Sequence, residues 1–286
     1  MREMRLYYST PLVRRILNVS ASGFYAWLGR PPSKRAKEEM RLEVEIKAAH
    51  KRTRQTYGAV RLQHELVEHG IRVGICRLKR IRRKLGLRCK QKRKFKVTTN
   101  SKHKLPVVEN ILNQQFKVYE PDTVWVSDIT YVPTDEGWLY LAGHKDLFTS
   151  EIVGYAMGER LSKNLVSQSL LRAVTARRPE KGLLHHSDRG SQYCSHEYRS
   201  LLGKFGLEAS MSGRGNCFDN APMESFWGIL KQELIHHRHY RSRKEAMADI
   251  TEYIEIFYNR QRLQARLRYL SPAAYAQQYY AGLLAA

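Results

Sequence analysis

From Thr123 to Val132 the chain reads TVWVSDITYV, an alternating stretch rich in β-branched and aromatic residues that predicts a strand. WLYLAG (138–143) and EIVGYAM (151–157) predict two more, and the short gaps between the three favour antiparallel hairpins. The period then changes. Leu165, Val166, Leu170, Leu171 and Val174 recur at helical spacing, so Ser162 to Arg177 is predicted as an amphipathic helix. GLLHHSD (182–188) is a short apolar fourth strand, Ser195 to Phe205 a helix and LEASMS (207–212) a fifth strand. A loop of turn residues leads into a helix from Ala221 to Ile235, and another runs from Arg243 to Asn259. The order β-β-β-α-β-α-β-α-α suits an α/β fold with a mixed central sheet flanked by helices.

The first third has a different pattern. Thr10-Pro11 is a good cap and first helical position, with Leu12, Val13, Ile16 and Leu17 on one face. Ser20 or Ser22 caps a second short helix carrying Phe24, Tyr25 and Trp27, and the pair resembles a helix-turn-helix. A longer helix spans 36–52, with Leu42, Ile46 and Ala49 on one side. AVRLQHELVEHG (59–70) is another, closed by Gly70. Val73 to Leu85 packs Ile75, Leu78, Ile81 and Leu85 on one side and crowds Arg77, Arg80, Arg82, Arg83 and Lys84 on the others. That is how a helix looks when one side packs and the other meets phosphates, although a solvated charged face has the same pattern. Arg88 to Lys104 has little periodicity and reads as a basic linker or arm.

Charge sharpens this division. Residues 1–105 hold 29 Lys and Arg against 7 Asp and Glu, a net of +22 out of +23 for all 286 residues. The remainder is nearly neutral. A basic binding module joined to a separate globular domain is expected, with nucleic acid favoured over an anionic membrane. The cysteines, Cys76, Cys89, Cys194 and Cys217, are irregularly spaced, so neither a zinc site nor a disulfide framework is expected. The start lacks the apolar core of a signal peptide, and no apolar run approaches a membrane span. A soluble intracellular protein is therefore expected.

Three acids fall where such a fold could converge them: Asp128 inside the first strand, Asp188 closing the fourth, and Glu224 starting the late helix. An aspartate in a central strand is costly unless it is paired or bound to metal. Three carboxylates with no compensating lysine in sequence repel one another, and a divalent cation resolves that repulsion. Hard oxygen ligands of this kind suit magnesium or manganese.

WVSDITYV, HHSDRGSQY and GNCFDNAPMESFWGILKQE, with 35 residues between Asp188 and Glu224, resemble the catalytic core of DDE transposases and retroviral integrases. More closely, the chain resembles the OrfB-type transposase subunit of the IS-three insertion-sequence family, from about Ser9 to Tyr275, with YGAVRL and YNRQR…SPAAY as support. The resemblance implies a ribonuclease-H-like mixed five-stranded sheet flanked by helices, preceded by an all-α helix-turn-helix-like basic region. The corresponding domains are 1–104 for the basic region, 105–122 for a linker, 123–260 for the core and 261–286 for a tail. It implies that Asp128, Asp188 and Glu224 hold two Mg²⁺ ions, with Mn²⁺ possible, for strand nicking and for strand transfer by a 3′-hydroxyl. No nucleotide cofactor is expected. The implied partners are DNA (element ends and target), a first-frame subunit or frameshift fusion, and further copies of the chain on DNA; no membrane is involved, and the setting is the bacterial cytoplasm, associated with the nucleoid. Competing classes are a non-catalytic DNA-binding protein, as a decayed or regulatory copy, and a nuclease that only hydrolyses.

Around the acids, Gly228 and Lys231 share the helical face of Glu224. They admit a DNA backbone and meet a phosphate, or they are a packing glycine and a surface lysine. Arg189 neutralises phosphate or pairs with a carboxylate. Asn216 is a candidate to cradle the flanking strand, while Asn220 is read as a helix cap. His185 and His186 are read as sheet residues, and the HHRH run (236–239) as a basic cluster at a helix end. Three positions depart from the family pattern. Ser127 replaces a threonine. Gly143, His144 and Lys145 stand where apolar residues are commoner, so His144 or Lys145 is expected to face solvent or DNA on an edge strand. Arg268 replaces a glycine; if that position needs a positive φ, the arginine costs about 1 kcal/mol or more.

Overall fold

The computed structural model describes residues 4–90, 107–213 and 216–285. Most of the basic arm predicted at 88–104, the start of the linker, and Arg214 and Gly215 of the turn-rich loop lie outside them. The chain divides into two compact units, Met1–Ala48 and Ala49–Ala286.

The first unit is helical. α1 (Thr10–Ile16) has Ser9, not Thr10, at its N-cap, with Pro11 in the first turn. α2 (Ala21–Gly29) is capped by Ser20, whose Oγ accepts from Gly23 N at 3.1 Å. Val13 and Phe24 are buried, whereas Leu12, Ile16 and Leu17 of the predicted apolar face are exposed. α3 (Lys34–Arg52) turns Leu42 and Ile46 inward.

The second unit begins within α3 and continues with α4 (Ala59–Glu68) and α5 (Ile75–Lys84). Leu62, Leu66, Leu78 and Ile81 are fully buried, as their three- and four-residue spacing dictates. Five strands follow: β1 (Val124–Thr134), β2 (Gly137–Asp146), β3 (Ile152–Gly158), β4 (Leu184–Ser187) and β5 (Glu208–Met211). They form one mixed sheet in the order β3-β2-β1-β4-β5. The β1–β2 and β2–β3 pairs are antiparallel hairpins; β1–β4 and β4–β5 are parallel, and their crossovers are α6 (Lys163–Arg177) and α7 (His196–Lys204).

This topology corrects the edge-strand expectation. β2 lies between β3 and β1, and His144 and Lys145 are buried. His144 lies between Tyr198 OH (3.1 Å from Nε2) and Ser169 Oγ (3.2 Å from Nδ1). Lys145 Nζ donates to Pro222 O at 3.0 Å. Each polar group sits where an apolar one is usual because a hydrogen-bond partner waits for it. The true edges are blunted. Asn259 pairs with both the N–H and the C=O of Ile152 on β3, at 3.0 Å each. On β5, Met211 N donates to Glu109 O at 3.3 Å, and Ser210 Oγ accepts from Ile111 N at 3.0 Å.

One face of the sheet packs on α6 and α7 through Trp125, Val153, Leu165, Leu170, Tyr193 and Tyr198. At Gly154 a Cβ would lie 2.5 Å from Ala173 N, so glycine lets α6 come this close. On the other face lies α8 (Ala221–Glu233), with Met223, Phe226, Trp227 and Leu230 buried. α9 (Arg243–Glu252) runs on into wider π-helical turns, Tyr253–Gln261. The tail is more ordered than its sequence pattern announces. Gln264 and Leu270 pair across a turn in which Arg268 (φ 56°) and Tyr269 (φ 61°) are left-handed, so the arginine does occupy a positive-φ position. α10 (Pro272–Ala285) follows, begun by Pro272 after Ser271, whose Oγ accepts from Ala274 N at 3.3 Å.

Candidate active site

Strand register brings the first two acids together. β1 and β4 are parallel neighbours, and Ser127 stands opposite Ser187. Asp128 and Asp188, each one residue further on, therefore emerge from strands about 4.8 Å apart. Across the other side of β1, Asp128 pairs with Gly143 of β2. A Cβ at Gly143 would lie 2.9 Å from Met223 Cε and 3.0 Å from Trp227 Cη2. The missing side chain thus lets α8 settle on the sheet beside Asp128, and Trp227 Nε1 donates to Asp128 Oδ2 at 3.1 Å. Glu224 lies three residues before Trp227, on the same side of the helix. Asp188 Oδ1 accepts from Gly190 N at 2.9 Å.

The acids feel one another. Burial and then the charge of Asp188 push the Asp128 carboxyl well above its usual range, and Glu224 adds to this. Burial and Asp188 likewise raise Glu224, which is the exposed member; the two aspartates are half-buried. Among the described residues no three His, Cys, Asp or Glu side chains stand in a ready-made coordination cluster. The donor set nonetheless fits a hard divalent cation: only carboxylates, mutually repelling, with one of them exposed at a helix start where it can swing inward. Lys231, read in the sequence as a phosphate contact or a surface lysine, lies close enough to feel the charge of Asp128. Burial lowers its ammonium while Asp128 raises it, and Nζ lies 5.2 Å from the centre of the Tyr131 ring. A Cβ at Gly228 would meet nothing within 4 Å, so this glycine opens the surface beside Glu224 and packs no helix.

Other candidates are tied into the loops. Arg189 Nε donates to Ser212 O at 2.6 Å. Asn216 caps its own turn: Oδ1 accepts from Phe218 N at 3.1 Å, and Nδ2 donates to Asp219 Oδ1 at 2.7 Å. Asp219, overlooked in the sequence, also accepts from Gly213 N (2.6 Å), Asn110 Nδ2 (2.9 Å) and Gln114 Nε2 (2.8 Å), and so organises the loop ahead of Glu224. Asn220 occupies the N-cap position, but its side chain does not cap; Nδ2 donates to Ser127 O at 3.0 Å and pins α8 to β1. His185 and His186 are buried sheet residues. Burial drops the first to about 3 and the second to about 4. Their partners are Tyr198 OH (3.0 Å) for His185, and Ser210 Oγ (2.9 Å) and Ser212 Oγ (3.2 Å) for His186. Of the HHRH run, His237 Nε2 lies 2.9 Å from Gln232 O and His239 Nε2 3.1 Å from Asp135 Oδ2.

Integrase core domain families match residues 118–217 and 224–280, and an HTH-like domain family matches residues 37–95. The transposase InsF for insertion sequence IS3A of Escherichia coli (strain K12) is 39% identical over 267 residues, 93% of each chain. This chain belongs to the IS3 transposase family. Another relative of this transposase, the insertion element IS600 uncharacterized 31 kDa protein of Shigella sonnei, is 57% identical over 266 residues, 93% of this chain and 98% of that one. Among solved structures, the HTLV-2 integrase catalytic core domain in complex with magnesium (trimeric form) overlays 56% of this chain and 99% of its own, with 13% identity and a TM-score of 0.45. Within the segment matched as HTH-like, Arg80 and Lys84 are exposed on α5 and Arg77 is half-buried. Arg82 turns inward, 3.4 Å from Tyr57 O. No helix among the described residues is long and apolar enough to cross a membrane.

Proposed function

We propose that this transposase nicks DNA at the ends of its insertion element and joins the freed 3′-hydroxyls to target DNA. The observation that carries this reading is the Ser127–Ser187 register, which sets Asp128 beside Asp188 under the helix that bears Glu224. Asp128, Asp188 and Glu224 would hold two Mg²⁺ ions, or Mn²⁺, which when bound stabilise the attacking and leaving oxygens of an in-line displacement at phosphorus. In nicking, a water oxygen bonds to phosphorus and the bond to the 3′-oxygen breaks. In strand transfer that 3′-hydroxyl attacks a target phosphodiester; one phosphorus–oxygen bond forms as one breaks, so no nucleotide is consumed. Trp227 orients Asp128 by holding one of its oxygens, and Gly190 N does the same for Asp188. Lys231 and the open surface at Gly228 accept the phosphate backbone on the face of Glu224. Arg189 flanks it, and Asn216 shapes the loop that borders it. Arg77, Arg80 and Lys84 on α5 meet phosphates of the element end. The domains divide this labour: 1–104 binds, 105–122 links, 123–260 cuts and joins, and 261–286 closes the chain. Several copies assemble on DNA, and a first-frame product, fused by frameshifting, completes recognition of the ends.

The test is integration of a labelled duplex carrying the terminal repeats into plasmid DNA with Mg²⁺. Strand transfer that is lost in Asp188→Asn supports the reading. Nicking without joining leaves a nuclease, and binding alone leaves a regulator. The need for a fusion partner is refuted if the 286-residue chain alone separates terminal repeats from random DNA.

A further inference from the structure

Two motifs play no part in the chemistry above: YGAVRL, which opens α4, and YNRQRLQARLRY, which leaves the π-helical turns. In the fold they meet. Tyr57 is fully buried, and its hydroxyl accepts from Leu263 N at 2.7 Å and donates to Gln261 O at 3.2 Å. The ring of His64 on α4 stacks on Tyr269, centroids 3.9 Å apart and planes 10° from parallel. Tyr269 can reach it because it and Arg268 adopt left-handed backbone. Arg54 pairs with Glu252, and its guanidinium lies 4.8 Å from the centre of the Phe257 ring. From the same segment Arg262 reaches the far end of α8: Nη2 donates to Glu233 Oε1 at 2.8 Å and Nε to Oε2 at 2.9 Å. Tyr253 OH donates to Glu233 Oε2 at 2.7 Å. A continuous set of directional contacts therefore joins α4 to α8, the helix whose first turn bears Glu224.

We propose that residues 261–270, locked to Tyr57 and Glu233 through residues 261–263 and to His64 through Tyr269, form a strut that holds α4 and α5 at a set distance from Glu224 and so selects which phosphodiester is cut. This rests on the transposase reading above. Bidentate guanidinium–carboxylate geometry and a hydroxyl used as both donor and acceptor resist rotation as well as separation, which an apolar contact of equal area does not. Tyr57 and His64 act as positioning residues; neither approaches the acids.

The test uses the full chain with Tyr57→Phe, and with Tyr57→Phe combined with His64→Ala. Cut positions are mapped at nucleotide resolution on a labelled terminal-repeat duplex. Spin labels on unnatural amino acids at the exposed Lys79 of α5 and Glu180 of the core report the distance between them. The wild type gives one cut position and one narrow distance. The double variant is expected to raise cutting at neighbouring phosphodiesters about tenfold relative to the wild-type position, the scale of losing one or two hydrogen bonds, with a widened distance and unchanged DNA affinity. A lower yield at an unchanged position means a purely structural role and overturns the proposal, as does an unwidened distance. If the wild type cuts nothing even with the first-frame product supplied, the transposase reading fails, and the distance alone decides the strut: widening supports it and an unchanged width removes it.

Discussion

The two ends of α8 carry the same residue in opposite circumstances. Glu224 in the first turn is exposed and faces Asp188, so its carboxyl is raised. Glu233 in the last turn, its side chain 10% exposed, is gripped by Arg262 and Tyr253. One glutamate is left to repel its neighbours and the other is fully satisfied. An acid without a protein cation is available to a metal ion; an acid saturated by a guanidinium is structure. The position on the helix does not separate them, and neither does residue type. The partners do.

The contrast is broken most directly by exchanging charge for amide at each end. Glu224→Gln is expected to lower strand transfer by at least about a hundredfold, the scale of losing one preorganised charge-stabilising group, while Tm holds or rises because a repulsion is gone. Glu233→Gln is expected to do the reverse. It leaves Arg262 buried without its counter-charge, beside the half-buried Arg61, and costs about 3–5 kcal/mol in denaturant melts. If the two variants behave alike, the distinction fails.

A smaller effect sharpens the account of how α8 meets the sheet. Gly143→Ala places a methyl against Met223 and Trp227. We expect a loss of about 1–3 kcal/mol from overpacking, and weaker Mg²⁺ binding by calorimetry as Trp227 moves off Asp128.

The smallest effect concerns His186, a satisfied histidine of β4. His186 lies at about 4 in the folded chain against the usual 6.5. The unfolded chain therefore binds the extra proton between those values, and stability contributed at neutral pH is lost as pH falls from 6.5 towards 4. His186→Gln removes that proton uptake. Between pH 6.5 and 4.5 the variant should lose less stability than the wild type, and an equal loss would show that the ring is not held neutral.

Much of this arrangement is legible along the chain because strand and helix periods are local. Alternation marked β1, short β-rich or apolar stretches marked the other strands, and three- and four-residue repeats marked α5 and α6, since burial of one face is written at those spacings. The acids were legible through their flanking motifs. Lys145 was misread because a buried lysine needs Pro222 O, a partner 77 positions away. Asn220 was misread as a cap because its alternative partner, Ser127 O, belongs to β1, 93 residues away. α10 went unnoticed because its apolar residues lack a clear stripe, and only Ser271-Pro272 announces it.

By itself, then, the sequence determined the five strands and the helices up to α9, the excess of basic charge in the first third, and which three carboxylates are candidates. These follow from interactions within a few residues and from counting. Tertiary structure alone decided that β2 is internal, that Gly143 clears the way for Trp227, and that Glu233 is locked while Glu224 is open. Each of those depends on a partner far away in the chain, and the energy of a buried polar group is set by the partner it finds and not by its neighbours in sequence.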